Sequence, residues 1–268
     1  MSNEFMLATF NANSLRARMN IVMDWLRDNQ PDVLCIQETK VQDHDFPLEV
    51  FHEAGWHVVY RGMKSYNGVA LISREAPVET AFGLQDGSTP DTATIVEEEA
   101  RVITARFPDL VVVNTYIPQG YETDSPKYEW KIRFLERLRV HMEHLMENRG
   151  TPVVWCGDFN IAPEDRDVYD PDGLRGHVCF NPQLSAIFQE FLNMGFVDVF
   201  RKYCFEAGEY TFWDYRMNAF KRNLGWRIDH ILALKLLAER SAGVFVDRAP
   251  RALPSPSDHT FLAARFLR

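Results

Sequence analysis

Short apolar runs alternate with amphipathic stretches along the whole chain. Seven runs, at residues 7–13, 33–38, 69–73, 111–117, 153–159, 228–234 and 260–266, read as β-strands. They are branched and nearly continuous in apolar character, the pattern of strands covered on both faces. Three stretches read as helices. Over 127–146, Trp130, Phe134, Leu138, Met142 and Leu145 fall on one face, with Arg and Glu opposite. Over 182–194, Leu184, Ile187, Phe188, Phe191 and Leu192 keep the spacing of an amphipathic helix. Asn181-Pro182 supplies that helix with a cap and a first-turn proline. Residues 16–29 form a third, less regular helix.

Polar residues follow the apolar runs repeatedly: Asn11 and Asn13, Gln37-Glu38, Asn114 with Tyr116, Asp158 with Asn160, Asp229-His230 and Asp258-His259. Loops leaving a rigid sheet are where chemistry is usually placed. Carboxylates, amides and a histidine delivered by so many strand ends read as one assembled site.

Composition narrows the class. The 268 residues, 46% hydrophobic and 25% charged, can bury a large core without disulfides or structural metal. No internal repeat or linker interrupts them, so residues 1–268 are expected to form one catalytic domain. The start lacks a basic region, and no apolar run is long enough for a leader or a membrane span, so a soluble cytoplasmic protein is expected. Cys35, Cys156, Cys179 and Cys204 form no CxxC or zinc spacing. Cys35 and Cys156 read as buried thiols, which suits a reducing compartment. A net charge of -9 argues weakly against nucleic acid. A local basic face is enough for an enzyme, however, and an acidic metal site adds negative charge of its own.

Each candidate has a bland alternative. Gly157 allows a close backbone approach, and Asp158 and Asn160 are expected on one side by strand alternation, where they can hold a water. An Asx-turn is the plain alternative. Glu38 closes an apolar strand and needs a partner, either a hard cation or Lys40. Asp258-His259 is either a ligand beside an acid-base group or a capping pair. Asp229, entering a strand, either orients an imidazole or makes a structural hydrogen bond.

Order and phrasing decide among these. Asn11-Ala12-Asn13, Gln37-Glu38-Thr39-Lys40, Asn114-Thr115-Tyr116-Ile117-Pro118, Gly157-Asp158-Phe159-Asn160, Trp226-Arg227-Ile228-Asp229 and Ser257-Asp258-His259 resemble, in order, the motifs of the endonuclease/exonuclease/phosphatase superfamily. Ser14-Leu15-Arg16-Ala17-Arg18, Asn67-Gly68-Val69-Ala70 and Tyr210-Thr211-Phe212-Trp213-Asp214-Tyr215-Arg216 resemble its exonuclease III and AP-endonuclease branch more closely. The resemblance runs from about Leu7 to Phe266.

The resemblance implies a four-layer α/β sandwich like that of deoxyribonuclease I, with two central sheets flanked by helices. It implies Mg2+, or Mn2+ as substitute, held principally by Glu38, with Asn11, Asp158, Asn160, Asp258 and His259 as further candidate ligands. By the same resemblance, Asp158 deprotonates the attacking water and Asn160 helps hold it. His259, oriented by Asp229, contacts the phosphate, and Tyr116 supports the developing charge. Magnesium prefers oxygen donors and keeps waters, so a sparse Glu/Asn/Asp set suits it.

The implied substrate is duplex DNA, cut 5' to abasic sites and processed at 3' ends, by a monomer with no membrane partner. Residues 210–227 interleave aromatic and basic side chains, which suits a stacking pocket beside a phosphate track. Phe212, Trp226 and Ile228 would wall a pocket for a flipped abasic sugar, whereas Trp213 reads as core. Asn13, Arg16, Lys40, Tyr121, Lys127, Arg216, Lys221 and Arg222 are candidate DNA contacts. The segment 164–180 departs from the family pattern: it is acidic at first and ends in Arg175-Gly176-His177, and His177, a further candidate on the DNA side, is expected to fill space that an abasic sugar or opposite base needs. Two rivals stand beside this reading: a phosphatase of lipids or small phosphate esters, and a non-catalytic relative that binds.

Overall fold

The computed structural model describes residues 4–147 and 150–268; the first three residues, part of the stretch read above for a leader, lie outside them. The strands are β1 (Glu4–Asn11), β2 (Val33–Gln37), β3 (His57–Arg61), β4 (Val69–Ser73), β5 (Glu79–Phe82) and β6 (Val102–Arg106). They continue with β7 (Val111–Tyr116), β8 (Val153–Asp158), β9 (Phe196–Asp198), β10 (Asp229–Leu234), β11 (Ser241–Asp247) and β12 (Phe261–Leu267). Between them lie α1 (Met19–Asn29), α2 (Leu48–Glu53), α3 (Thr92–Glu99), α4 (Pro126–Glu147), α5 (Pro171–Leu174), α6 (Pro182–Asn193), α7 (Ala219–Arg222) and α8 (Lys235–Glu239).

The strands build two six-stranded sheets, ordered β11-β12-β1-β2-β4-β3 and β5-β6-β7-β8-β10-β9. Within each sheet one neighbouring pair is parallel, β1 with β2 and β7 with β8, and the rest are antiparallel.

The apolar runs are continuous because both faces of each sheet are covered. Leu7, Cys35, Val69 and Leu71 of the first sheet meet Ile103, Val112, Val154, Cys156 and Ile231 of the second. The other face of the first sheet, through Ala8, Phe10, Leu34 and Ile36, packs on Val22, Trp25 and Leu26 of α1. The other face of the second, through Val111, Val113, Val153 and Trp155, packs on Phe134 and Leu138 of α4 and Phe188 and Phe191 of α6. The result is the expected four layers: helix, sheet, sheet, helix. Asn181 caps α6 as read, its Oδ1 accepting from Leu184 N at 3.1 Å. The irregularity near residue 16 is a 3-10 turn, Arg16–Arg18, that breaks before α1. None of the described helices is long and apolar enough to cross a membrane.

A polar bridge crosses the buried interior between the sheets. Gln37 Nε2 donates to Asn114 Oδ1 at 2.7 Å, and Asn114 Nδ2 donates to the carbonyls of Ile36 and Ala70. Buried amides of this kind fix how one sheet sits on the other, because a slipped arrangement would leave them unpaired. Just beyond Gln37 and Asn114 along their strands come Glu38 and Tyr116.

Candidate active site

Strand register assembles the site. Tyr116 lies opposite Asp158 across the parallel pair β7–β8, and Asp229 lies opposite Asp158 across the antiparallel pair β8–β10. Three polar side chains thus stand at neighbouring strand ends. Asn11 ends β1 in the other sheet, and Glu38 follows β2 in a left-handed backbone conformation, φ 50°. Gly157 permits the crowding: its φ is 141°, and an added Cβ would lie 1.9 Å from the Thr115 carbonyl oxygen.

His259 sits just before β12 and faces two carboxylates. Its Nδ1 is 2.8 Å from Asp229 Oδ2, and its Nε2 is 3.7 Å from Asp158 Oδ2. Burial alone would lower the imidazole pKa, but Asp229 and Asp158 outweigh it and raise it to about 10. His259 is therefore an imidazolium at neutral pH and a hydrogen-bond donor on both nitrogens. Asp158 moves the other way from its ordinary range. Burial, opposed by His259 and reinforced by Asp229 and Glu38, raises it to about 7. Its Oδ1 accepts from Asn160 N at 2.9 Å and its Oδ2 from Asn11 Nδ2 at 2.8 Å.

Asn11 joins the two sheets at the site. Its Nδ2 also donates to Glu38 Oε1 at 2.9 Å, while its Oδ1 accepts from Asn13 N. The amide thus presents its nitrogen to the carboxylates, so in this arrangement Asn11 bridges Glu38 and Asp158 and its oxygen faces away from them. Lys40 Nζ pairs with Glu38 Oε2 at 2.8 Å and donates to Asn13 Oδ1. Burial would raise the Glu38 pKa, but Lys40 and Asn11 hold it below the usual carboxylate range. Asn13 Nδ2 reaches Asp258 Oδ1 at 3.0 Å. Tyr116, raised well above the ordinary phenol range by burial and by Glu38, keeps its proton at neutral pH and so can donate.

Asn160 corrects the strand-alternation reading. β8 ends at Asp158, and Asn160 takes a left-handed φ of 51°, so a turn and not alternation brings it to the pocket. Its Nδ2 donates to Ile117 O, and its Oδ1 lies 3.8 Å from Cys179 Sγ. The Asx hydrogen bond to Asp158 is also present, so the bland reading and the placement in the site hold together.

These groups open into a cavity of about 410 Å³, lined by Glu38, Tyr116, Asp158, Asn160, Asp258 and His259 on one side. Phe212, Trp226, Ile228, Arg216 and His177 line the other. Phe212 and Trp226 exchange backbone hydrogen bonds, and the Phe212 ring meets His259 edge-on at 5.0 Å. His177 leans on Trp226 with ring centroids 4.7 Å apart, and its Nδ1 accepts from Cys179 N.

The basic candidates separate. Arg16, Lys127, Arg216, Lys221 and Arg222 are exposed, Arg216 while paired to Asp214 and lining the cavity. Lys40 is committed to Glu38 and Asn13. Arg227, read as part of a basic track, is buried instead and bonds Asp167, Asp198 and His230. Trp213 is core, as read. The acidic segment is largely neutralised from within: Asp167 is buried between Arg227 and Arg201, Asp165 pairs with Arg175, and Asp170 caps α5. Cys179 of the cavity wall and the fully buried Lys131, which bonds loops that line the cavity, were not read as part of the site. Their one sequence signal was a lysine on the apolar face of a helix.

The donor set fits a hard divalent cation. Asp158 and Asp229 bring carboxylate oxygens within 4.8 Å of each other, and the protonated His259 beside them donates hydrogen bonds and is not a ligand. Glu38 and Asp258 add carboxylates to the same cavity, and Asp229 Oδ1 is buried with no hydrogen-bond partner among the described residues. Oxygen donors in excess of nearby positive charge are what such an ion takes.

A family model described as Endonuclease/Exonuclease/phosphatase family matches residues 8–259. Exodeoxyribonuclease III of Haemophilus influenzae is 34% identical over 268 residues, covering 96% of this chain and 98% of that protein. The structure of an AP endonuclease from Archaeoglobus fulgidus superposes with a TM-score of 0.91 at 46% identity, covering 98% of this chain and 99% of that one. A 3' phosphatase from Neisseria, bound to product DNA hairpin, superposes with a TM-score of 0.91 at 38% identity and the same coverage, 98% and 99%. Matched over nearly its whole length, and with its strand ends meeting at one carboxylate-rich cavity, the chain belongs to the endonuclease/exonuclease/phosphatase family, among the exonuclease III and AP-endonuclease members.

Proposed function

We propose that the protein is a DNA repair nuclease that hydrolyses phosphodiester bonds 5' to abasic sites and at the 3' ends of duplex DNA, leaving a 3'-hydroxyl. The observation that carries this reading is the Asp229–His259–Asp158 array beside a cavity walled by Phe212, Trp226 and Ile228. A metal ion, read as Mg2+ with Mn2+ as substitute, would be held by Glu38 with Asp258 and Asp158 near it. When bound, it would neutralise charge on the phosphate.

The protein's own groups do the rest. Asp158, with a pKa near neutrality, is suited to accept the proton of an attacking water. The His259 imidazolium and the Tyr116 hydroxyl donate to the phosphate oxygens as charge develops there. Asn160 holds Asp158 in place through its backbone N–H. The apolar wall accepts a base-less sugar and excludes an ordinary base. We read the protein as a monomer acting in the cytoplasm.

The test is a panel of abasic duplex, 3'-phosphate ends and recessed 3' ends, each with Mg2+ or EDTA, and with an inositol phosphate as the rival substrate. Activity on DNA that disappears in EDTA is expected. Full activity in EDTA would sink the metal assignment. Turnover of the inositol phosphate alone would make the protein a small-ester phosphatase, a reading that its acidic net charge fits.

His177 sets the balance within the panel. It occupies part of the cavity against Trp226, where an abasic sugar would sit. His177→Gly is therefore expected to raise abasic cleavage relative to 3'-end removal by about tenfold, less than the roughly 100-fold that a 1 Å misplacement costs. An unchanged ratio would make His177 a bystander.

A further inference from the structure

Lys131 belongs to none of the groups above, yet it is fully buried on the core face of α4. Its Nζ donates to the carbonyl oxygens of Asn160 at 2.8 Å, Val178 at 3.0 Å and Gln119 at 3.2 Å. These oxygens lie on three separate loops. One loop carries Asn160 next to Asp158, one carries His177 and Cys179, and one carries Gln119 just after Tyr116; Asn160, His177, Cys179 and Gln119 all line the cavity. No other hydrogen bond to any of the three oxygens occurs among the described residues. Three acceptors around one nitrogen need three N–H bonds, which an ammonium has and a neutral amine lacks. The stem is fixed as well: an added Cβ on Gly120, whose φ is 96°, would lie 3.2 Å from Lys131 Cδ.

We infer that Lys131 is a positioning residue, which ties the three cavity loops to α4 through their carbonyls and so fixes Asn160, and through it Asp158, against the reacting phosphate. It touches no substrate. Its effect falls on the geometry of the base, because the Asn160 backbone is held at both ends, by Asp158 at its N–H and by Lys131 at its carbonyl. A buried carbonyl left without a donor loses the full value of its desolvation, so the loops have a reason to move when the ammonium goes.

The inference rests on the nuclease reading above, and two readouts keep the failures apart. Lys131→Met keeps the stem and removes all three donors. With Mg2+ and abasic or recessed-3' duplex, its kcat should fall about 100-fold, the scale of a roughly 1 Å misplacement, while KM stays within about threefold. Amide exchange followed by mass spectrometry should quicken in residues 117–121, 159–162 and 177–180 and stay at the wild-type rate in both sheets. Lys131→Gln keeps two donors and stands in where the methionine variant does not fold; its loss should be smaller but follow the same split. Wild-type kcat together with unchanged exchange in either variant would overturn the inference. So would exchange that quickens evenly over the whole chain, because Lys131 would then be a general packing residue. Wild-type protein inactive on every DNA substrate would overturn the nuclease reading alone, and the exchange pattern would still decide whether Lys131 holds the loops.

Discussion

His259→Ala is expected to lower kcat on DNA by on the order of 10^3-fold while leaving the sheets intact. The imidazolium is buried just before β12, anchored by Asp229 at 2.8 Å, with Nε2 turned toward Asp158 and the cavity. Alanine removes a charged donor aimed at the phosphate and also the cation that balances Asp158 and Asp229. The two losses have different pH signatures. The folded pKa of His259 is raised, from 6.5 to about 10, so its stabilisation is fully present below pH 6.5 and is lost as pH rises through about 10. The variant should therefore be less stable than wild type at pH 7, and the gap should close toward pH 10. Single-turnover rates with Mg2+, and urea midpoints without metal, at the two pH values check both parts. A rate within about tenfold of wild type would remove His259 from the chemistry.

The sequence made the interior of the fold readable and hid its margins. All seven strands read from apolar runs are interior strands of the two sheets. The four edge strands, β11, β3, β5 and β9, were all passed over. Edge strands cover one side only, and three of these are mostly half-buried or exposed: β3, β5 and β11. A half-covered strand carries no continuous apolar run, so periodicity alone does not find it. β9 is only three residues long. β6 is the exception, an interior strand missed although Val102, Ile103 and Ala105 are fully buried. It directly follows the acidic α3, which masked its start.

At the site, the legible part was whatever strand register fixes. Tyr116, Asp158 and Asp229 come together because β7 and β8 end there and the antiparallel β10 begins there, and polar residues at the ends of the apolar runs announce it. The illegible part depends on which way a loop side chain turns. Asn160 reaches the pocket by a left-handed turn, which a strand pattern does not contain. Arg227 and Asp167 looked like surface charges of opposite sign and are a buried pair, because each is the other's counter-ion across a distance of 60 residues. Lys131 was not singled out on its helix, and its three carbonyl partners lie on loops no local pattern connects.

Asp158→Asn should show activity and stability moving in opposite directions. The carboxylate is buried, and it faces Asp229 and Glu38; these outweigh His259 and the hydrogen bond from Asn11 and raise its pKa from 3.8 to about 7. A raised carboxyl pKa means the folded state binds the proton more tightly than the unfolded state does. The penalty is absent below pH 3.8, grows as pH rises, and is complete above about pH 7. Asparagine is nearly isosteric and uncharged, so it removes that penalty, and its oxygen can still accept from Asn160 N. In EDTA, the variant should therefore melt above wild type, with the larger gain at pH 8 than at pH 5. The same change deletes the group that takes the water proton, so kcat should fall by about 10^4-fold, the upper end for a general base. Melting temperature and single-turnover rate on abasic duplex measure the two effects separately. A variant that melts below wild type at pH 8 would show that Asp158 chiefly holds the fold through Asn11 and Asn160. A variant that keeps more than about a tenth of wild-type kcat would show that another group takes the proton.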